Sequence, residues 1–191
     1  MNIVSKKQLK DVILKDISAN TGGKGIRRKD KFRLSYSFTV CKYLTVLRKE
    51  EYACYKRDNE RSRIKRIFIS QIIKVLDRKK NKLGLKAGID IPVGKADSGI
   101  RIAHPNVILN GEVGSGCIFH GNNVLGNKKT GDRNAVPKLG KHVDVGVGAI
   151  IIGKVEIADD CVIGAGAVVT KSFLKPESVI VGNPAREISA N

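Results

Sequence analysis

Residues 139–171 read LGKHVDVGVGAIIIGKVEIADDCVIGAGAVVTK, and this stretch decides the fold of the 191-residue chain. An aliphatic residue recurs in it at every sixth position: Leu139, Val145, Ile151, Ile157, Ile163 and Val169. A helix repeats about every 3.6 residues and a strand every 2, so a period of six fits neither. The period predicts a coil of short strands joined by tight turns, in which each hexad forms one flat side of a triangular prism.

A second position of each hexad is small or short, four residues after the aliphatic one: Val143, Ala149, Val155, Cys161 and Ala167. An earlier block keeps the six-residue interval through Val107, Val113, Phe119 and Leu125. We expect the large side chain inside the prism and the small one at its corner. The interval from Leu125 to Leu139 is not a multiple of six, which predicts an inserted loop at residues 127–138 (NKKTGDRNAVPK). Long loops in compact repeats tend to carry function.

Basic residues are concentrated in the first part of the chain. The whole chain carries +18, and residues 1–84 hold 24 Lys and Arg against 8 Asp and Glu, a net charge of +16. We therefore predict two domains: a basic, mostly helical region at 1–84 and a repeat domain at 85–191. Such an excess attracts an anionic polymer or an anionic membrane surface, and a plain solvated basic face is the alternative. Without an aromatic platform or a recognised motif, nucleic acid is not predicted as a partner.

Helical patterns occur at residues 5–19, 38–49 and 62–76. In the last of them Ile64, Ile67, Phe68, Ile72 and Val75 share one face, and basic side chains cover the remainder. Such a helix can pack its apolar face on the end of the prism or on a neighbouring subunit. It can equally lie on an anionic membrane.

Nothing in the sequence predicts a membrane span or a secretory signal, because no apolar run is long enough to cross a bilayer and the N-terminus is highly charged. The four cysteines show no metal-type pairing and are interpreted as reduced thiols. These features favour a cytoplasmic location, with peripheral attachment to the inner face of the membrane as a variant. The three histidines lie much further apart in the chain than the ligands of a zinc motif, so no metal site is predicted.

Those histidines limit the search for acid–base chemistry. His104 lies in GIRIAHPN, where the hexad register slips before Val107, and it is the best candidate for a general base. An imidazole can take a proton from a hydroxyl at neutral pH. Asp90 precedes His104 by less than one coil of three hexads and is a candidate to orient that ring. A functional and a structural role are equally open for His120, whereas His142 fits a solvated position in a regular hexad.

The hexads, the GDR of residues 131–133, IGAGAVVTK at 163–171 and VGNPAR at 181–186 together resemble the hexapeptide-repeat acyltransferases. GIDIP, GIRIAH and the loop resemble the serine acetyltransferase branch, which includes O-acetyltransferases of bacterial capsule, O-antigen and exopolysaccharide synthesis. The resemblance covers residues 88–188. It implies a mainly β fold, a left-handed parallel β-helix that follows an α-helical N-terminal region. It also implies a homotrimer, acetyl-CoA bound between neighbouring prisms, and direct acetyl transfer to an alcohol.

The resemblance also assigns roles to residues. It makes His104 the base and Asp90 its orienting carboxylate, although this chain has Asp90-Ile91-Pro92 where the family has Asp-Ile-His-Pro. Backbone N–H groups or His120 would stabilise the oxyanion. The positions implied to contact CoA are Gly126, Asn127, Val147 and Ala165 along the pantetheine arm, and Lys171 and Arg186 near the phosphates. Arg133 and Asn134 are implied to bind the acceptor.

Departures from the family pattern concern the acceptor. Serine acetyltransferases read Asp-His where this chain has Ala103-His104, and they carry a histidine after GDR where it has Asn134. His120, in FHG, resembles a histidine of some polysaccharide-modifying members. These differences favour an acetyl-CoA-dependent O-acetyltransferase acting on a sugar hydroxyl of a bacterial surface polysaccharide or its precursor. Serine O-acetyltransferase of cysteine biosynthesis and a non-catalytic trimeric scaffold are the alternatives.

Overall fold

The computed structural model describes residues 3–129, 132 and 135–188. The chain divides into two compact units, Met1–Ala87 and Gly88–Asn191. The first is helical and the second is built from short strands. The division falls slightly after the predicted domain boundary, because the last helix continues to Ala87.

The helical unit contains α1 (Lys6–Thr21), α2 (Arg28–Phe32), α3 (Tyr36–Asp58) and α4 (Arg63–Ala87). The Ser5 hydroxyl caps α1 by accepting a hydrogen bond from the Gln8 amide at 3.1 Å. The helix α2 was not predicted, and both α3 and α4 continue well past their apolar patterns. Lys, Arg, Leu and Ala favour helix even where no apolar stripe continues, which explains the extra length.

The centre of this unit is α3, which packs against both α1 and α4. Its inward side combines apolar residues such as Leu44 and Leu47 with a fully buried arginine, Arg48. Arg48 bonds Asp16 of α1 and Glu51 of its own helix. Part of the basic charge therefore lies inside the unit.

The apolar stripe of α4 faces outward. Ile64 is 81% exposed, and Phe68 and Val75 are exposed as well. What covers this stripe stays a prediction. None of the described helices combines the length and the apolar character needed to span a bilayer.

The second unit is a parallel β-helix whose described strands form three sheets. The five-stranded sheet contains β1 (Ile89–Asp90), β3 (Val107–Leu109), β6 (Asn123–Gly126), β9 (Ile150–Ile152) and β12 (Val168–Val169). The three-stranded sheet contains β4 (Glu112–Val113), β7 (Lys138–Leu139) and β10 (Glu156–Ile157). The six-stranded sheet contains β2 (Arg101–Ile102), β5 (Ile118–Phe119), β8 (Asp144–Val145), β11 (Val162–Ile163), β13 (Val179–Val181) and β14 (Arg186–Ile188). The last pair, β13 and β14, is antiparallel.

Strand register confirms the period of six. Val145 pairs with Ile163 and Ile151 with Val169, so one regular coil takes three hexads. The large hexad residues from Val107 to Val169 are all at most 5% exposed. The small residues are buried as well, each directly after a turn, which agrees with their predicted place at the corner.

Strand register shows that the insertion lengthens one coil. Phe119 pairs with Val145, a larger step along the chain than the three hexads of a regular coil. Val136 and Pro137 at the end of the loop are buried, and the Pro137 carbonyl accepts a hydrogen bond from the Glu112 amide at 2.8 Å. Arg133 and Asn134, implied to bind the acceptor, lie outside the described residues.

All four cysteines are free thiols. Cys117 and Cys161 are fully buried beside turns, as the repeat predicts. Burial raises the pKa of Cys117 to about 12, and its Sγ donates to the Gly140 carbonyl at 3.2 Å. This buried thiol is therefore poorly suited to act as a nucleophile.

Candidate active site

Four turns stack along the edge where the chain passes from the six-stranded to the five-stranded sheet. They comprise residues 103–106, 120–122, 146–148 and 164–166. A groove of about 550 Å³ follows this edge. Its lining includes three groups able to exchange protons, namely His104, His120 and Asp144, and four small or short residues, Gly146, Val147, Gly164 and Ala165. The sequence-predicted residues His104, His120, Val147 and Ala165 are thus brought together.

His104 lies in a turn that is one residue longer than the turn stacked on it. Ile102 pairs with Phe119 on one side of the turn, and Val107 pairs with Asn123 on the other. The turn that contains His104 is therefore one residue longer than the turn that contains Gly121. This extra residue causes the shift in hexad register seen in the sequence. The His104 side chain is exposed to the groove and makes no hydrogen bond within the described part of the chain.

Gly121 permits the close stacking of these two turns. A Cβ added to Gly121 would lie 2.7 Å from the His104 Cβ, and the Gly121 φ of +105° is unfavourable for any residue with a side chain. An alanine at this position would therefore move His104.

The variant Gly121→Ala is expected to lower kcat by about 10- to 100-fold, because small displacements of a catalytic group cost that much. Gly153→Ala is a matched control: Gly153 has a φ of +94°, yet its added Cβ would meet only the Lys128 Cβ at 3.6 Å. Both variants should lose about 1–2 kcal/mol of stability from the backbone conformation. Steady-state kinetics and thermal unfolding separate the two effects, and equal activity in both variants would contradict the role of Gly121.

The His120 ring is held by a carboxylate. Its Nε2 lies 2.8 Å from Asp144 Oδ1. The His120 amide also donates to the Val145 carbonyl at 3.0 Å, which fixes its backbone above β8. Sequence reasoning missed Asp144 because the loop hides which coils are neighbours. Counting hexads across the loop would have paired Phe119 with Val145 and placed Asp144 beside His120.

Asn123 is a second residue that the sequence analysis missed. It is fully buried, its Oδ1 accepts from the Gly121 amide at 2.9 Å, and its Nδ2 donates to the Gly146 carbonyl at 2.8 Å. One side chain thus ties the turn next to His104 to the floor of the groove. In the next coil Ala149 occupies the corresponding place. An asparagine at a position that is otherwise small and apolar was therefore the sequence signal that could have identified Asn123.

Two glycines, Gly146 and Gly164, line the groove. A Cβ on Gly146 would lie 2.6 Å from the Ala165 amide nitrogen, and one on Gly164 would lie 2.8 Å from the Val181 Cγ1. Glycine is therefore needed at position 146 for the coils to stack, whereas a side chain at position 164 would require Val181 to shift. A lining of glycines and short side chains suits a slender ligand chain.

Several predicted residues lie elsewhere. Asp90 is exposed on β1, pairs in register with Ile108, and neither lines the groove nor bonds His104 in the described part of the chain. Its orienting role stays a prediction. His142 lies at an exposed turn, with Nδ1 3.2 Å from Asp160 Oδ1.

The other residues predicted to contact CoA do not line this groove. Gly126 ends β6 and Asn127 follows it, and the Asn127 Oδ1 accepts a hydrogen bond from the Asn110 side chain at 3.2 Å. Lys171 is exposed, with Nζ 5.4 Å from the centroid of the Phe173 ring, and Arg186 is exposed on β14. Across the described residues, no three His, Cys, Asp or Glu side chains converge as metal ligands.

Similar sequences are found among curated serine acetyltransferases. The enzyme of Helicobacter pylori is 34% identical over 142 residues, or 71% of this chain and 78% of that protein. Serine acetyltransferase 3 of Arabidopsis thaliana is 40% identical over 100 residues, which are 50% of this chain and 25% of that protein. The chain spans about half of a Buchnera aphidicola relative, at 28% identity. No family model matches the chain.

Solved structures show the same fold. Soybean serine acetyltransferase aligns with 94% of this chain and 69% of its own, with a TM-score of 0.66 and 22% identity. The left-handed β-helix predicted from the sequence is thereby confirmed. The fold and its six-residue period are those of the hexapeptide-repeat acyltransferases. Because the Helicobacter pylori match covers most of a relative at 34% identity, the chain belongs to the serine acetyltransferase family.

The prediction of a polysaccharide O-acetyltransferase is wrong. The relatives and structural neighbours named above are serine acetyltransferases, the activity that the sequence analysis had kept as the alternative. That prediction gave too much weight to two local departures, Ala103 and Asn134. The Helicobacter pylori match covers 71% of the chain, more than the β-helix unit, so the helical region takes part in the similarity as well.

Proposed function

We propose that this protein is a serine O-acetyltransferase that transfers an acetyl group from acetyl-CoA to the hydroxyl of serine. The observation that carries the proposal is an exposed His104 lining a groove in a chain of this family. Two neighbours of the same fold support it: soybean serine acetyltransferase is solved with serine, at a TM-score of 0.64, and another is solved with CoA, at 0.63.

The reaction needs one proton acceptor near the hydroxyl. The serine oxygen attacks the thioester carbonyl carbon while its proton passes to His104. The tetrahedral intermediate collapses, the C–S bond breaks, and the CoA thiolate takes the proton back from His104. General-base assistance of this kind contributes roughly 10²- to 10⁴-fold to the rate.

We also propose that the working form is a homotrimer. Ile108, Val124, Ile150 and Val168 pair in one row on the outer face of the five-stranded sheet. Ile108 and Ile150 are 45% and 36% exposed, and a row of this kind favours burial against a second copy.

Gly126 and Asn127 lie at the other edge of the same sheet, away from His104. A CoA molecule held between two copies would contact this edge of one copy and the His104 edge of the other. A solution mass of one 20.8 kDa chain would contradict the proposal.

The activity is tested with the purified full chain, acetyl-CoA and serine. We expect CoA release that depends on serine, together with O-acetylserine identified by mass spectrometry. A reaction without serine measures hydrolysis, and neutral sugars serve as competing acceptors. CoA release no faster with serine than without it would overturn the proposal.

A further inference from the structure

Two imidazoles line the groove, but only one is bound to a carboxylate in the described part of the chain. His120 Nε2 contacts Asp144 Oδ1 at 2.8 Å, whereas the His104 side chain has no such partner there. Both members of the pair are partly open to the groove, with side-chain exposures of 45% and 39%. A ligand in the groove can therefore reach the ring that Asp144 holds.

The contact decides which nitrogen of His120 carries the proton. A carboxylate only accepts hydrogen bonds, so at 2.8 Å the Nε2 must be the donor. In a neutral ring the Nδ1 then carries the lone pair. No described residue hydrogen-bonds that Nδ1.

Backbone geometry makes the arrangement specific to this coil. Ile118 pairs with Asp144, so Asp144 lies two residues before the level of His120 on the neighbouring strand. The His120 amide bonds the Val145 carbonyl, which leaves the ring beside the Asp144 carboxylate. In the next coil Val162 occupies the place of Asp144, so the repeat itself does not require an acidic residue.

We propose that Asp144 is a positioning residue, which holds His120 in the Nε2–H tautomer so that Nδ1 accepts a hydrogen bond from the acceptor molecule. The proposal rests on the serine acetyltransferase activity above and concerns binding of the acceptor. His104 remains the proton acceptor of the chemical step. A neutral His120 bound in this way has no N–H left for the oxyanion, so that role falls to backbone amides.

The kinetic test compares Asp144→Ala with the wild-type protein. We expect the KM for serine to rise about 10-fold, the scale of one lost hydrogen bond in a binding site. The KM for acetyl-CoA should not change, and kcat should stay close to that of the wild type. Asp144→Asn keeps an acceptor oxygen and should recover part of the affinity. Asp160→Asn alters the other His–Asp pair, outside the groove, and should leave all three constants unchanged.

Two further measurements separate positioning from a structural effect. In a His120→Gln background, Asp144→Ala should add no further increase in KM, because the residue acts through His120. Two-bond ¹H–¹⁵N correlation spectra of the three histidines should show the Nε2–H form of His120, lost in Asp144→Ala.

The results distinguish the two proposals. If the wild-type protein does not acetylate serine, the proposed function fails, and the spectra still decide whether Asp144 fixes the tautomer. If serine is acetylated but Asp144→Ala keeps the wild-type KM for serine, the inference is overturned. An Nδ1–H tautomer of His120 in the wild-type protein overturns it as well.

Discussion

Replacing His104 with alanine is expected to lower kcat for acetyl transfer to serine by at least about 100-fold. The side chain is exposed to the groove and unbonded within the described chain, so its removal leaves no buried group without a partner. Stability and the affinity for CoA should therefore stay close to wild type. CoA release in a thiol assay, unfolding by circular dichroism and CoA binding by calorimetry measure the three quantities.

A matched control is available on the same β-helix. His142 is also an exposed turn histidine, and although it lies beside a carboxylate it is outside the groove. Its φ of 54° is in the left-handed region, which asparagine adopts more readily than alanine, so His142→Asn is the suitable change. This control should keep the wild-type rate. A His104→Ala protein with near-wild-type turnover would remove His104 from the mechanism.

The β-helix could be predicted because its geometry repeats. Each coil stacks its inward side chains on those of the coil before it. Apolar residues must therefore recur at every sixth position of the sequence. The same regularity made its interruptions visible, which led to His104 at the irregular step before Val107. The loop was predicted for the same reason, from the step between Leu125 and Leu139.

The partners of the site residues could not be predicted in this way. Asp144 meets His120 across the lengthened coil, and Asn123 reaches the carbonyl of Gly146 across the same insertion. The step from Leu125 to Leu139 gives the size of the insertion, so counting hexads shows which strands are neighbours. It does not show which side chains on those strands bond each other, and these contacts became visible only in the structure.

The acceptor was predicted wrongly because two single positions were given more weight than the similarity over most of the chain. Ala103 and Asn134 differ from the family pattern, but each is a single position of the chain. Similarity spread over 142 residues of the Helicobacter pylori enzyme outweighs them.

The sequence gives the net charge of the helical unit but not which of its charged side chains are buried. The excess of +16 in residues 1–84 predicts a surface for anions, and that prediction stays open. Yet Arg48 is fully buried, and Lys80 is nearly so, with Nζ 3.0 Å from Glu50. Burial raises the pKa of Glu50, and the hydrogen bond from Lys80 partly offsets this effect. The net charge calculated from composition includes Arg48 and Lys80, although both are buried and form ion pairs between helices.

The variant Arg48→Met is expected to lower the free energy of unfolding of the helical unit by about 3–5 kcal/mol. Arg48 Nε lies 2.8 Å from Asp16 and Nη1 lies 3.1 Å from Glu51, and both carboxylates are buried. Burial by itself would lower the pKa of Arg48, but the charges of Asp16 and Glu51 outweigh it and keep the pKa raised. Methionine fills the space and leaves the two carboxylates without their guanidinium.

Helical circular dichroism during urea unfolding of the full chain measures this loss. Arg57→Met is the matched control, because Arg57 pairs with Asp58 at the surface, where an ion pair contributes at most about 1 kcal/mol. The deficit of Arg48→Met should shrink as the pH falls from neutral toward about 5, because protonation neutralises the buried carboxylates and favours the folded variant. Equal losses in both variants, or a deficit that does not change with pH, would show that Arg48 acts through packing rather than through charge.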